Sequence, residues 1–393
     1  MTATVAGMDR KRRLRVALAG TGFAGSSHAR AIRLAGAELV GVAASTPDRG
    51  REAAARLGAP RYYDSLEQMA AADDIDVVHV CLPNSLHASV AVSCLQSGKH
   101  VICEKPLALD GSSADTVVGA WRRAGTIGVV PFVYRYYPMV RELRARVAAG
   151  ELGALHLIHG SYLQDWLASA GDTNWRVDPA AGGPSRAFAD IGSHWCDLAE
   201  FVTGQRIRRV SARTATAFET RPYPDGRPTF GTGADDHLPA LANQVGTEDV
   251  ALVHFETDMG VLGAMVISQV SPGRKNALTL EISGTAGTGY FSQERPESIW
   301  IGRRDGATAP AAEPASLVPD AARLAVLPAG HPQGWLDCVS GLVADAYAAI
   351  ADQAPEGLPT FDDGQRAVAI TEAVLRSADH DGQWTEVGVE VLA

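Results

Sequence analysis

Hydrophobic residues recur with two different spacings along the chain, and the spacing changes near residue 131. Before that point, short apolar runs rich in β-branched residues alternate with stretches of helical spacing, which is typical of βαβ units around a parallel sheet. The pattern predicts strands at residues 15–19, 38–43, 77–81, 100–103 and 128–131. It predicts helices at residues 28–35, 47–57, 65–71, 86–97 and 112–124.

Beyond residue 131 the pattern is one helix followed by longer strands that are separated by turns. The helix is predicted at 139–149, and the strands at 155–162, 208–217, 249–256 and 260–270. Consecutive strands predict a large, mostly antiparallel sheet with one open face. Residues 221–246 and 305–319 predict loops, and two helices, 334–351 and 363–377, follow the sheet.

These patterns predict an α/β protein of two domains. Residues 1–131 would form a doubly wound parallel sheet, and residues 132–393 an α+β domain for substrate binding and oligomerisation. The open sheet face predicts a homo-oligomer, either a dimer or a tetramer.

Composition narrows the choice of partners. The net charge of −10 disfavours a nucleic-acid surface, so small solutes are the expected partners. No apolar run approaches the roughly 18–20 residues of a membrane-spanning helix, so no membrane association is predicted. The five cysteines show no CxxC spacing and no paired histidines, which disfavours disulfides and a structural metal site and favours reduced thiols in the cytoplasm.

A glycine loop follows the first predicted strand and precedes a helix. It reads Gly20-Thr21-Gly22-Phe23-Ala24-Gly25, the GxGxxG fingerprint of a Rossmann dinucleotide site. Gly20 would permit the tight turn, Gly22 the approach of the pyrophosphate, and Gly25 the close packing of the helix. The cofactor phosphates are therefore predicted at Gly20, Gly22, Phe23, Ala24 and Gly25, at the positive end of that helix.

The end of the second strand bears on the choice between NAD and NADP. An acidic residue that would bind the adenine ribose of NAD is missing there, and Ser45 and Thr46 stand in its place. Both could bind either a ribose hydroxyl or a 2′-phosphate, and Arg49 could add charge for the phosphate or lie in solvent. The residues alone therefore leave the choice of cofactor open.

Two further strand ends should face the cofactor, because ligands of such sheets bind beyond the carboxyl ends of the strands. The first carries Pro83, Asn84 and His87, where His87 could instead cap or pack a helix. The second carries Glu104 and Lys105. An ammonium group at that place would stabilise the alkoxide that develops as an alcohol loses its proton and hydride.

In the second half, Asp190 and His194 stand four residues apart after a glycine-rich stretch. A helical turn would put both on one face. A histidine can accept a proton near neutral pH, and a carboxylate can orient it. The alternative has Asp190 capping a helix and His194 in the core. Asp197, one turn further, is interpreted as structural.

Taken together, the glycine loop, Pro83-Asn84 with His87, Glu104-Lys105-Pro106 and the Asp190-x-Gly-x-His194 run resemble the Gfo/Idh/MocA family of sugar and inositol dehydrogenases. The resemblance implies that His194 is the general base, Asp190 its partner at the reacting hydroxyl, and Lys105 the electrophilic helper. It also favours NAD over NADP, without excluding NADP, and implies a reaction that needs no metal.

Aromatic and amide side chains suggest a sugar site. Indole rings suit the C–H faces of a sugar, and amides suit its hydroxyls. The stretch around Gln164 and Trp166 is similar to that of family members that act on pyranose rings. The predicted substrate contacts are Asp190, His194, Tyr134, Gln164, Trp166, Trp175 and Arg176. Core packing is the alternative for Trp175, Arg176 could touch a cofactor phosphate or a domain interface, and His331 is a weaker candidate.

The function expected from the sequence is an NAD(P)-dependent dehydrogenase that oxidises a ring hydroxyl of a sugar, glycoside or cyclic polyol to a ketone. One alternative is a glycoside hydrolase of the same fold that uses NAD transiently. The other is a regulator that binds nucleotide without chemistry, which an intact set of Lys105, Asp190 and His194 disfavours.

Overall fold

The first half of the chain forms a six-stranded parallel sheet in the computed structural model, which describes residues 13–222, 242–353 and 355–388. The strand order is β3-β2-β1-β4-β5-β6, so the direction of winding reverses between β1 and β4. The strands are β1 (Arg15–Ala19), β2 (Glu38–Ala43), β3 (Tyr62–Tyr63), β4 (Val77–Val80), β5 (His100–Cys103) and β6 (Gly128–Val129). This is the predicted doubly wound sheet, and its switch point is where such folds bind ligands.

Five helices cover the two faces of this sheet. They are α1 (Phe23–Leu34), α2 (Pro47–Leu57), α3 (Leu66–Ala71), α4 (His87–Gln96) and α5 (Gly111–Ala124). Helix α1 begins five residues before the predicted start, because it starts inside the glycine loop without a side-chain cap that would mark its beginning. Strand β3 was not predicted, since two residues are too short for a recognisable alternation.

The second half is built on a nine-stranded sheet in the order β16-β15-β14-β13-β7-β12-β11-β8-β17. Neighbours are antiparallel except β7 and β12, which run parallel. The strands are β7 (Leu155–Leu163), β8 (Ile207–Ala215), β11 (Val250–Thr257), β12 (Leu262–Ser268), β13 (Ala277–Gly284), β14 (Thr288–Ser292), β15 (Ile299–Arg303), β16 (Gly306–Thr308) and β17 (Thr385–Glu386), with β9 (Thr220–Pro222) and β10 (Ala242–Gln244) forming a separate pair. The predicted fold class is confirmed.

One face of this sheet is covered and the other is open. The second half of the chain also contains the helices α6 (Pro138–Ala148), α7 (Pro179–Gly182), α8 (Ser193–Thr203), α9 (Pro319–Ala322), α10 (Trp335–Ile350) and α11 (Phe361–Asp379). On the covered face, Trp195 of α8 packs edge-on against Phe255 of β11. On the other face Leu252, Leu262 and Val266 are exposed, as predicted for an open sheet.

Two predicted loops contain regular structure. Residues 221–246 include part of the β9–β10 pair, and residues 223–241 lie outside the described part of the chain. Residues 305–319 include β16 and the first residue of α9. Strands β13 to β15 were also not predicted; only the turn near residue 284 was recognised there.

The last two helices return to the parallel sheet. Helix α10 packs against α1, and α11 packs against α5. An antiparallel β-bridge between Val129 and Thr360 also joins the second half of the chain to the first. Side chains from the second half of the chain therefore lie beside the half that contains the parallel sheet, and the domain boundary at residues 131 and 132 stays a prediction. None of the described helices is both long and apolar enough to cross a membrane.

Phe255→Ala tests the core beneath the large sheet. Phe255 is 1% exposed, and deleting its ring should lower the free energy of unfolding by about 3–5 kcal/mol. Met259→Ala, in the turn after the same strand, removes a side chain that is 73% exposed and should change it by less than about 0.5 kcal/mol. Urea denaturation measures both, and equal losses in the two variants would contradict this description of the core.

Candidate functional site

The glycine loop is shaped by close backbone contacts. Gly20 has a φ of +91°, and a Cβ there would lie 2.1 Å from the carbonyl oxygen of Cys81. A Cβ on Gly25 would lie 2.2 Å from the carbonyl oxygen of Gly20, whereas one on Gly22 would meet nothing within 4 Å. The first turn of α1 has no side-chain cap. Open space beside Gly22 and uncapped N–H groups fit the pyrophosphate of a dinucleotide.

The end of β2 carries hydroxyl and guanidinium groups, as the sequence suggests. The hydroxyl of Thr46 caps α2 by accepting the N–H of Arg49, and Arg49 Nη1 lies 3.2 Å from Ser45 Oγ. The sequence interpretation missed Arg56, whose Nη2 donates to the carbonyl of Thr21 at 2.8 Å. Its spacing of seven residues from Arg49 on one helix was the signal that could have found it.

Asn84 and His87 hold loops together. Asn84 Nδ2 donates to the carbonyl of Gly182 at 2.9 Å, joining the two halves of the chain. The ring nitrogens of buried His87 lie 2.7 Å from the carbonyl of Pro106 and 2.8 Å from that of Leu82. Both nitrogens thus face backbone carbonyls, as in the alternative in which His87 packs, and its contact with the cofactor stays a prediction.

The centre of the site is an ion pair between the two halves of the chain. Lys105 Nζ lies 2.6 Å from Asp190 Oδ1 and 2.7 Å from the Asp190 carbonyl oxygen. Gln269 Nε2 donates to Asp190 Oδ2 at 2.8 Å, and Arg176 Nε lies 3.4 Å from Oδ1. Burial would raise the pKa of Asp190, but Lys105 and Arg176 outweigh it and hold this pKa well below its ordinary value. Asp190 is therefore a carboxylate at neutral pH.

His194 lies close to this pair but is held differently from the prediction. Residues Phe188–Gly192 form a π-helical turn that runs directly into α8. The ring of His194 sits against the edges of Phe132 and Tyr134, and its Nδ1 is buried without a hydrogen-bond partner in the described part of the chain. Asp190 therefore does not orient His194, because its carboxylate is engaged by Lys105 and Gln269.

The surroundings keep His194 neutral. Burial and the nearby Lys105 charge lower the pKa of His194 to about 3, although Asp190 and Glu104 act in the opposite direction. A neutral imidazole can accept a proton at physiological pH. The prediction that His194 is the general base stays a prediction that this environment permits.

The predicted sugar side chains belong to one hydrogen-bonded cluster. The hydroxyl groups of Tyr134 and Tyr162 contact each other, and Asn276 contacts both. Gln164 donates to Asn276 Oδ1 at 2.9 Å and accepts Trp166 Nε1 at 2.7 Å. Gln164 is buried and holds Trp166, and its direct contact with substrate stays a prediction. Asn276 was not predicted, because nothing in its local sequence distinguishes it from a turn residue.

The remaining residues considered from the sequence are Trp175, Arg176, His331 and Asp197. The guanidinium of Arg176 lies over the ring of Trp175, 4.3 Å from its centroid, and beside Asp190. His331 is exposed in the loop before α10, with Nδ1 3.1 Å from the carbonyl of Pro328. Asp197 forms a buried ion pair with Arg135, in line with a structural role.

No metal-binding group of three or more His, Cys, Asp or Glu side chains is present among residues 13–222, 242–353 and 355–388. The described cysteines are free thiols. The groups arranged around the Asp190 carboxylate are Lys105, Arg176 and Gln269.

Comparison with known proteins agrees with this geometry. A model described as "Oxidoreductase family, NAD-binding Rossmann fold" matches residues 14–132, and the GFO/IDH/MocA C-terminal domain matches residues 140–289. The chain belongs to the Gfo/Idh/MocA family. It is an NAD-binding oxidoreductase, so the predicted family, enzyme class and cofactor are confirmed.

Several members of this family are similar over most of their length. A levoglucosan dehydrogenase of Pseudarthrobacter phenanthrenivorans is 30% identical over 359 residues, which cover 88% of each chain. An oxidoreductase domain protein from Kribbella flavida is 31% identical with a TM-score of 0.86, covering 96% of this chain and all of its own. A levoglucosan dehydrogenase in complex with NADH and L-sorbose is 27% identical, also with a TM-score of 0.86, covering 96% and 99%.

Gly20→Ala tests the loop as the cofactor site. The new Cβ collides with the Cys81 carbonyl, so the loop must shift and NADH should bind at least about tenfold more weakly. Gly36→Ala is the matched control, since Gly36 also has a positive φ, +78°, but has open space around its Cβ position. Fluorescence titration with NADH measures both dissociation constants. An unchanged constant in Gly20→Ala, or an equal change in both variants, would contradict this assignment.

Proposed function

We propose that this protein oxidises a ring hydroxyl of a sugar, glycoside or cyclic polyol to a ketone while a hydride passes to the nicotinamide of NAD. The observation that carries the proposal is the Lys105–Asp190 ion pair with neutral His194 beside it, at the carboxyl ends of β4 and β5. Bound NAD supplies the hydride acceptor. The chain must then bind the alcohol, take its proton and stabilise the developing oxyanion.

Lys105 and His194 divide that work. The ammonium of Lys105 donates to the substrate oxygen, which lowers the free energy of the alkoxide and eases loss of the hydroxyl proton. His194 accepts that proton, since its imidazole is neutral. Its low pKa makes it a weak base in the empty site, so the reaction depends on Lys105 to acidify the hydroxyl.

Asp190 acts by holding Lys105. Its two carboxylate oxygens bind Lys105 Nζ and Gln269 Nε2, at 2.6 and 2.8 Å. This pairing aims the ammonium and balances its charge in a buried site. Gln269 therefore joins Lys105, Asp190 and His194 in the proposed machinery, as a residue that orients the carboxylate.

The substrate class is proposed from the aromatic wall and from the relatives. Trp175 lies under Arg176, which is beside Asp190, and Trp166 donates to Gln164 in the neighbouring hydrogen-bonded cluster. Flat apolar faces next to charged donors suit the C–H and O–H groups of a sugar ring. Similarity to a levoglucosan dehydrogenase, and to the structure of one in complex with NADH and L-sorbose, supports the same class.

Use of NADP in addition to NAD stays part of the proposal. Ser45, Arg49 and Arg56 lie beyond β2, where an acidic residue would repel a 2′-phosphate. The open face of the large sheet is the proposed surface of a homodimer or homotetramer, since Leu252, Leu262 and Val266 are exposed there. A cytoplasmic location is proposed from the free thiols.

A screen of substrates tests the function. Purified protein is mixed with NAD or NADP and a panel of pyranoses, anhydrosugars, glycosides and cyclitols, and absorbance at about 340 nm reports the reduced cofactor. We expect net reduction with at least one ring polyol. Release of a sugar from a glycoside without net reduction would instead support an NAD-assisted hydrolase. Cofactor binding with no turnover of any kind would support a regulator.

Lys105→Met tests the chemistry. The substitution keeps an unbranched side chain, one atom shorter, and removes its charge, so kcat should fall by about 10²–10⁴-fold while NADH affinity stays within about threefold. Lys275→Met is the control, because Lys275 forms an exposed pair with Asp165, and its loss should leave kcat unchanged. Steady-state kinetics on the best substrate measure both. A Lys105→Met enzyme as fast as wild type would refute the assigned role.

A further inference from the structure

Four polar side chains form a continuous hydrogen-bonded row through the interior. Glu104 Oε1 lies 3.1 Å from Nε2 of His28 on α1. Nδ1 of His28 lies 2.8 Å from Nδ1 of His79 on β4, and Nε2 of His79 lies 2.9 Å from the hydroxyl of Tyr347 on α10. We call Glu104, His28, His79 and Tyr347 the polar row. It runs from the residue before Lys105 to a helix of the second half of the chain.

The polar row is costly to bury. His28 and His79 are 1% and 0% exposed, and His79 stands between the fully buried Val78 and Val80 on a central strand. Polar groups buried there lose their hydrogen bonds to water. This loss is compensated only when every group has a hydrogen-bond partner in the protein. Apolar side chains would fill the same space without that cost, so packing alone does not account for the row.

Donation along the row has one direction. Burial would raise the pKa of Glu104, but the bond from His28 and the nearby charges lower it to about 2, so Glu104 is a carboxylate and only accepts. When His28 is neutral, its Nε2 donates to Glu104 and its Nδ1 accepts. His79 must then donate from Nδ1 and accept the Tyr347 hydroxyl at Nε2. Burial lowers the pKa of His79 well below its ordinary value and keeps it neutral.

The row ends on the main chain of Lys105. Glu104 Oε2 accepts the backbone N–H of Lys105 at 3.3 Å, while Oε1 faces His28. The carboxylate is thus held at both oxygens, by the row on one side and by the Lys105 main chain on the other. Its negative charge also raises the pKa of His194, whereas the charge of Lys105 lowers it.

We propose that His28, His79 and Tyr347 are positioning residues that orient the Glu104 carboxylate and, through it, fix Lys105 for hydride transfer. The kinetic part rests on the function proposed above. Because Tyr347 belongs to α10, which packs on α1, the second half of the chain sets the geometry of the lysine motif in the first. Breaking the row frees Glu104 to turn and loosens Lys105, whereas the cofactor and sugar contacts remain.

Nuclear magnetic resonance of ¹⁵N-histidine-labelled protein tests the row without any substrate. With both imidazoles neutral, in a spectrum recorded at about pH 9, His28 should carry its proton on Nε2 and His79 on Nδ1. His28→Gln and His79→Gln assign the two sets of signals. A proton on Nε2 of His79 at that pH would overturn the proposed direction of donation and with it the role of Tyr347 as the terminal donor.

Tyr347→Phe tests the positioning role, because it removes only the hydroxyl. We expect kcat to fall at least about fivefold, with the sugar KM and the NADH dissociation constant within about twofold of wild type. Tyr63→Phe, at a buried tyrosine of β3 outside the row, is the matched control and should keep the wild-type kcat. A merely structural role would lower the melting temperature of Tyr347→Phe and leave kcat unchanged, and that result would overturn the proposal.

The two tests separate this inference from the proposed function. A wild-type protein that oxidises no sugar refutes the function, and the tautomer of His79 then still decides whether the row exists. Sugar oxidation that proceeds at the wild-type kcat in Tyr347→Phe leaves the function intact and refutes the positioning role.

Discussion

The site depends on one interaction, the ion pair between Lys105 and Asp190. The lysine stands at the end of a strand in the parallel sheet, and the carboxylate comes from a π-helical turn that leads into a helix beneath the large sheet. Neither half of the chain contains the site alone. A buried ammonium that lost this carboxylate would be left uncompensated, at a cost of several kcal/mol. The two halves of the chain must therefore stay in the position that keeps Lys105 next to Asp190, because separating them would leave a buried charge without its partner.

Other features of the interior support the same pair. Gln269 holds the second oxygen of Asp190, Asn84 bonds to the glycine-rich stretch before Asp190, and His87 joins the loops after β4 and β5. The polar row reaches Lys105 from the opposite side. Each contact restrains a strand end or the turn opposite it, which is where a doubly wound sheet places chemistry and also where its backbone is least regular. At these strand ends, side-chain hydrogen bonds hold the loops in place, as strand pairing holds the backbone within the sheet.

The sequence predicted those parts of the site that are encoded locally. The glycine loop, Lys105, Asp190 and His194 are recognisable because residue type and position after a strand or a glycine run carry the signal. Gln269 and Asn276 could not be predicted, since each meets its partner across long separations in the chain. The carboxylate of Asp190 bonds Lys105 and Gln269 instead of His194 for a related reason: spacing reports that two residues share a face, but the distant Lys105 decides where the carboxylate turns.

The same distinction holds for the fold. Strands of the parallel sheet follow from short apolar runs. In the large sheet, β13 was missed although Leu278, Leu280 and Ile282 alternate with polar residues, and β14 to β16 are short strands that pair along the sheet. The start of α1 was missed because its first turn lacks the side-chain cap that would mark it.

The most direct test of the central claim is a double-mutant cycle on the rate of hydride transfer. Lys105→Met, Asp190→Asn and the double variant are compared with wild type by stopped-flow absorbance in a single turnover. If the two groups act as one unit, the double variant is hardly slower than the slower single variant, because the second substitution removes an interaction that is already lost. Independent effects that multiply in the double variant would contradict the account.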